Sequence, residues 1–278
     1  MWLERITIFC FAASYGLALV LELINLLRPH ALVRLLSTIL GGAGLVAHTL
    51  FLAAAFFLAR QGPPLASPYG SLLFIAWILA IFYFYGALHH HRHAWGVFVL
   101  PLVLFLVGLA TAMPQDRDDA NASIPWLRGE RLLPLVHGLL LLLAAVGVCV
   151  GFVASVMYLV QAHRLKTKTL PGHGVRLMSL ERLEAMIRHA IVTAFPLLTA
   201  GVLVGVALLL PRMSEIESWL DLRIISAVVL WVVFALLVYL RYGYHLRGRR
   251  VALLTIVAFA LLVCTLAFSH TVVQGGGP

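Results

Sequence analysis

An all-α, polytopic integral membrane helix bundle is the fold class this sequence predicts, and three observations carry the reading. Of its 278 residues, 62% are hydrophobic and only 11% charged, against roughly 45–50% and about 25% in a soluble domain. The apolar residues come in blocks of about 20, long enough for a helix to cross a hydrocarbon core of roughly 30 Å. Basic residues gather in alternate connections between the blocks, as they do in multi-pass chains. The longest connections, 114–131 and 163–188, are too short to hold a core of their own. Residues 1–278 are therefore expected to form a single membrane domain of about eight transmembrane helices.

The first block, near 6–27, ends in Glu22 and Asn25 and lacks a small-residue cleavage pattern, so it is read as a retained helix and not a signal peptide. The second, 35–59, carries His48 in GLVAHTLF. The third, 71–88 (SLLFIAWILAIFYFYGAL), follows a proline-bearing turn, and the fourth, 95–113, follows HHHRH at 89–93. The fifth, 132–162, opens on RLLPLVHGLLLLLA with His137 at its mouth. The stretch SLERLEAMIRH (179–189) puts Leu180, Leu183 and Ile187 on one stripe and reads as a short amphipathic surface helix. It leads into the sixth block, 189–210, and then the seventh, 222–240, and the eighth, 251–273. Small residues four apart, Gly147-Gly151-Ser155 and Gly201-Gly205, let helices five and six approach their neighbours closely.

Charge placement sets the orientation. Connection 28–34 carries Arg28 and Arg34, and 89–94 carries Arg92. Connection 163–188 carries Arg164, Lys166, Lys168, Arg176, Arg182 and Arg188, and 241–250 carries Arg241, Arg247, Arg249 and Arg250. The alternate connections, 60–70, 114–131 and 211–221, have no such excess. The positive-inside rule puts the basic connections in the cytoplasm and both termini on the outer side. The net charge of +9 is thus a topology signal; the expected partner is the lipid bilayer, and no nucleic acid. The three cysteines, Cys10, Cys149 and Cys264, form no CxxC and no CxxCH, which argues against thiol exchange and against c-type haem attachment to this chain.

Twelve histidines are many for a chain so poor in charge. Those at 89–93 fall in a short cytoplasmic turn and are read as a solvated, weakly basic segment, because a metal site needs ligands that converge on one point. His30, His163, His173, His189 and His245 sit in or beside cytoplasmic connections. Three others differ. His270 lies 20 residues after Arg250, about 30 Å of helix, and His137 lies 27 residues before Arg164, about 40 Å. Both therefore reach the outer boundary at similar depth. His48, about 21 Å from Arg34, is well inside helix two. Two outward imidazoles at one depth suit the two axial positions of a haem iron. The same two residues also fit a plain pair of interfacial histidines, and an ionisable residue inside the membrane is itself a functional candidate.

The ordered segments resemble a known family. GLVAHTLFLA, then ARQGPPLASPYGSLLFIAWILAIFY, WGVFVLPLVLFLVGLA, LVHGLLLLLAAVGVCVGFVASVMYLVQAHRLK, LERLEAMIRHAIVTAFPLLTAGVLVGV and SWLDLRIISAVVLWVVFALLVYLRYGYHLRGRRVALLTIVAFALLV are similar to the cytochrome c assembly family that includes the CcsA, CcmC and HemX-like proteins. The resemblance runs from about residue 40 to 273. It implies haem handling at the outer face of a cytoplasmic (inner) membrane, with His137 and His270 corresponding by position to the family's two outward axial ligands. His48 matches a histidine in the family's GxxxHT segment.

Two departures set this chain apart. Full haem lyases of the family carry a tryptophan-rich WWD segment, whereas here PRMSEIESWLDLR holds a lone Trp219. The seventh helix, from Trp231 to Arg241, has no histidine. Both argue against ligation of apocytochrome by this chain acting alone and place it nearer the short HemX-like branch. The expectation is a holder of non-covalent haem b, with Trp126, Trp219, Arg128 and Arg131 contacting the ring or its propionates. Other cytochrome c assembly proteins or apocytochrome c are the expected partners. Two alternatives stand beside it: a HemX-like regulator of a haem-biosynthetic enzyme acting through 163–188, and a small-molecule transporter with His48 lining a central pathway.

Overall fold

The computed structural model describes residues 2–57, 67–89, 94–113, 132–167, 178–210, 222–244 and 248–271, with side chains except at 2–7, 56–57, 68, 222–224 and 267–271. Regular structure among the described residues is helical: α1 Trp2–Leu27, α2 Ala31–Phe57, α3 Pro68–His89, α4 Gly96–Ala112, α5 Leu132–Lys166, α6 Leu180–Leu209, α7 Leu222–Tyr242 and α8 Arg249–Thr271. Seven are long and apolar enough to cross a membrane. The remaining one, α4, has 17 residues, about 26 Å, the short end of what a bilayer core needs. The protein is a multi-pass, all-helical membrane protein, as the blocks predict.

Helix ends follow local chemistry more than hydropathy. Ser67 caps α3: its hydroxyl accepts a 3.1 Å hydrogen bond from the Gly70 amide, and Pro68 takes the first helical position, where a missing N–H does no harm. α5 runs to Lys166, past the expected 162, and its last turn holds His163, Arg164 and Lys166, which complement the helix dipole. The amphipathic stretch and the sixth block form one 30-residue helix, α6, starting at Leu180. Nothing between His189 and Ala190 breaks the helix, so a segment expected to lie on the surface continues straight into the membrane segment, with Leu183 and Ile187 buried. Pro101 and Pro196 stand inside α4 and α6, as membrane helices tolerate.

The chain divides into two compact units, Met1–Ile124 with His163–Ser179, and Pro125–Ala162 with Leu180–Pro278. In the first, α1 packs on α2, α2 on α3, α3 on α4 and α4 back on α1, closing a four-helix ring. The glycines of α2 permit the close approach: a Cβ on Gly41 would fall 2.5 Å from the Tyr83 ring and one on Gly44 would fall 2.9 Å from the Tyr15 ring. Glu22 of α1 faces this junction, its Oε1 accepting a 2.8 Å hydrogen bond from the Ser37 hydroxyl, which lies 3.4 Å from the Tyr83 hydroxyl. Gly96 of α4 reaches the same place, where an added Cβ would fall 2.9 Å from Glu22.

In the second unit α7 packs on both α6 and α8, and α5 lies against α6 and α8 through its glycines. A Cβ on Gly147 would meet Ala194 of α6 at 3.0 Å, and one on Gly151 would meet Thr255 of α8 at 3.1 Å. Arg241 at the end of α7 pairs with Glu184 at the start of α6, 2.8 Å apart. Each unit also satisfies a tryptophan N–H by the same device. Trp77 donates to Thr49 at 2.8 Å and Trp231 donates to Thr199 at 3.0 Å. Each threonine hydroxyl in turn donates to the carbonyl four residues back, Leu45 or Phe195.

Candidate functional site

His137 sits in the second turn of α5, half-buried, and its position is set by α6. Its Nδ1 lies 2.8 Å from the carbonyl oxygen of Gly201. A carbonyl only accepts, so Nδ1 carries the proton and donates it. In its neutral form a ring so held has its lone pair at Nε2, the form in which imidazole binds iron. The ring fits because Gly205 has no side chain: a Cβ there would lie 2.7 Å from Cε1 of His137. A donor set of neutral imidazole nitrogen with its second nitrogen tied to a backbone carbonyl matches what histidine-ligated metals use.

Position 270 comes to the same level through the pairing of α5 with α8. Tyr158 of α5 lies at Gly248, where an added Cβ would be 2.8 Å from the phenol oxygen. Seven residues back along α5 is Gly151, and seven forward along α8 is Thr255, its contact. Phe152 and Phe259 stack beside them with centroids 4.1 Å apart. The two helices are therefore antiparallel neighbours. Fourteen residues further back from Gly151 is His137, and fifteen further forward from Thr255 is position 270. A one-residue offset is about 1.5 Å along a helix axis. Position 270 lies in the last turn of α8.

His48 belongs to the first unit. It is fully buried, stacked face to face on Phe11 at 4.2 Å with rings 3° from parallel. Its Nδ1 is 3.4 Å from the Tyr15 hydroxyl, and its Nε2 meets no hydrogen-bond partner. Phe51 adds a further ring 5.7 Å from Phe11.

The other expected residues fare differently. Trp126, Trp219, Arg128 and Arg131 lie outside the described residues, as do His90–His93 of HHHRH. His89, in the last turn of α3, bonds through Nδ1 to the Tyr85 carbonyl at 3.1 Å and stacks on the Tyr85 ring. Among the described residues no three His, Cys, Asp or Glu side chains gather to hold a metal ion. Cys149 is buried, Cys10 and Cys264 are exposed, and all three are free thiols. Gly201 and Gly205, read from the sequence as packing residues, are the ones that seat His137. Their four-residue spacing was the available signal, but a single sequence does not say which side chain will fill the space.

Residues 65–275 match the family model described as Cytochrome C assembly protein. Among similar proteins, the cytochrome c biogenesis protein CcsA of Guillardia theta is 27% identical over 220 residues, covering 73% of this chain and 72% of its own. The CcsA of Synechococcus sp. (strain JA-3-3Ab) is 28% identical over 291 residues, covering 84% of this chain and 83% of its own. That of Synechococcus elongatus is 25% identical over 273 residues, 82% and 83% of the two chains. No solved structure gives a significant match. The family match takes in α3 to α8, with His137 and position 270 inside it and His48 outside, and by it the chain belongs to the cytochrome c assembly protein family.

Proposed function

We propose that this chain holds haem b non-covalently at the outer face of a cytoplasmic membrane during cytochrome c biogenesis, with His137 and His270 as the two axial ligands. The observation that supports this most is the antiparallel register of α5 and α8, which brings two histidine positions to one level on neighbouring helices. The hydrogen bond from His137 to Gly201 adds a lone pair at Nε2 of the first ligand. Bound haem would supply an iron with two axial positions open to neutral imidazole. The basic ends of the same helices support the outer placement: Arg164 and Lys166 close α5, and Arg249 and Arg250 open α8, so positive-inside orientation turns the histidine ends outward.

The chain's task in this reading is holding, with no bond made to a substrate. Arg128 and Arg131 suit propionate carboxylates through bidentate guanidinium contacts, and Trp126 and Trp219 suit the ring. The lone Trp219, in place of a WWD segment, supports a carrier near the short HemX-like branch that passes haem to another assembly protein or to apocytochrome c. His48 keeps its place among the candidate cofactor contacts on the strength of its unpartnered Nε2.

The test is the absorption spectrum of detergent-purified protein titrated with haem. A low-spin bis-histidine spectrum is expected, lost in His137→Ala and in His270→Ala. Failure to form that spectrum in the wild-type chain overturns the reading.

A further inference from the structure

α5 carries His137 and Leu141 four residues apart, α6 carries Gly201 and Gly205 four residues apart, and the two pairs mesh. A Cβ on Gly201 would fall 2.7 Å from Leu141 Cδ2, and one on Gly205 would fall 2.7 Å from Cε1 and 3.2 Å from Nδ1 of His137. The ring thus turns the carbon between its two nitrogens toward the bare backbone of Gly205, and in that pose Nδ1 reaches the Gly201 carbonyl at 2.8 Å. Pairs of small residues at this spacing usually serve helix packing. Packing alone explains the Gly201–Leu141 contact. It does not call for a hydrogen bond from an ionisable ring to the first glycine, with the second glycine cleared of any atom that would push the ring away.

We propose that Gly201 and Gly205 are positioning residues for His137. The Gly201 carbonyl fixes the Nδ1–H tautomer and the gap at Gly205 fixes the ring plane, so that Nε2 is the ligating nitrogen before any ligand arrives. The inference rests on the reading of His137 as an axial haem ligand and deepens it. A free histidine side chain in water prefers the Nε2–H tautomer, which has no lone pair at the outward nitrogen; the seat reverses that preference. A carbonyl partner on the second nitrogen also makes the ring a more basic ligand. α6 is then the element that prepares the ligand, although it carries no ligand itself.

The decisive measurement needs no haem. In the full-length chain with 15N-labelled histidine, the His137 signals are identified by their loss in His137→Gln. The expected result is a protonated Nδ1 and a bare Nε2 in the wild type. Gly205→Ala shifts the signals toward the Nε2–H form and weakens haem binding at least tenfold, and millimolar imidazole restores the low-spin spectrum. Alanine is the better helix former, so a weaker α6 does not explain such a loss. Gly147→Ala, which crowds Ala194 and does not touch His137, keeps both tautomer and affinity. The inference is overturned by an Nε2–H signal in the wild type, by Gly205→Ala binding haem within twofold of wild type, or by Gly147→Ala behaving like Gly205→Ala. If Gly205→Ala does not fold, the wild-type tautomer still decides. Haem bound through His137 with an Nε2-protonated apo ring sinks the positioning role alone, whereas no haem binding by any variant sinks the haem reading with it.

Discussion

Gly248 and Tyr158 meet where the turn into α8 lies against α5. Gly248 has a φ of 73°, and an added Cβ would fall 2.8 Å from the Tyr158 hydroxyl. The conformation and the contact both require glycine. This contact is also the first rung of the α5–α8 register, followed by Gly151 with Thr255 and by the Phe152–Phe259 stack.

Gly248→Ala is therefore expected to destabilise the protein by about 1–3 kcal/mol, the usual cost of a non-glycine residue held at positive φ. Thermal unfolding in detergent reads the loss. Tyr158→Phe removes the oxygen in the way, so the alanine does less harm in that background. Equal losses in both backgrounds would mean that the phenol is no part of the constraint.

Trp231 and Thr199 tie α7 to α6 inside the apolar layer, and Thr199 passes the bond on to the Phe195 carbonyl. A double-mutant cycle of Trp231→Phe and Thr199→Val should give a coupling of roughly 0.6 kcal/mol, the average for hydrogen bonds between membrane helices. Additive losses would show that the N–H finds another partner when threonine is removed.

Glu22 gathers α1, α2, α3 and α4 around one carboxyl group. Glu22→Gln keeps an oxygen for the Ser37 hydroxyl and should stay within about 1 kcal/mol of wild type. Glu22→Leu removes that acceptor and should lose about 1–3 kcal/mol. A leucine variant as stable as the glutamine variant would show that the hydroxyls turn elsewhere at no loss.

His48 offers its face to Phe11 and leaves Nε2 without a partner. His48→Phe keeps the stack and removes the orphaned nitrogen, so it should match or exceed wild-type stability. His48→Ala opens a cavity and should lose about 2–4 kcal/mol, as large-to-small changes in a core do. A phenylalanine variant as weak as the alanine variant would point to a bound partner at Nε2.

The eight helices of the described residues were legible because a run of twenty apolar residues leaves the backbone few other ways to satisfy its hydrogen bonds in lipid. Their ends were less so. The join at His189 is invisible to hydropathy, since an amphipathic surface helix and a membrane helix share one backbone geometry. The level of His137 and His270 followed from helix rise alone, but the adjacency of α5 and α8 did not, because lateral neighbours are chosen by packing at residues such as Gly151 and Phe152. The same holds for Gly205: its missing side chain is plain in the sequence, and the imidazole that uses the space is not. Trp126, Arg128, Arg131 and Trp219 stay with the sequence reading, outside the described residues.

The most direct test of the paired-ligand account is low-temperature electron paramagnetic resonance of the haem-loaded ferric protein. The wild type should give a low-spin signal of two neutral imidazole ligands, and His137→Ala and His270→Ala should each give a high-spin signal that returns to low-spin when imidazole is added. A low-spin bis-imidazole signal that survives in either single variant would contradict the account.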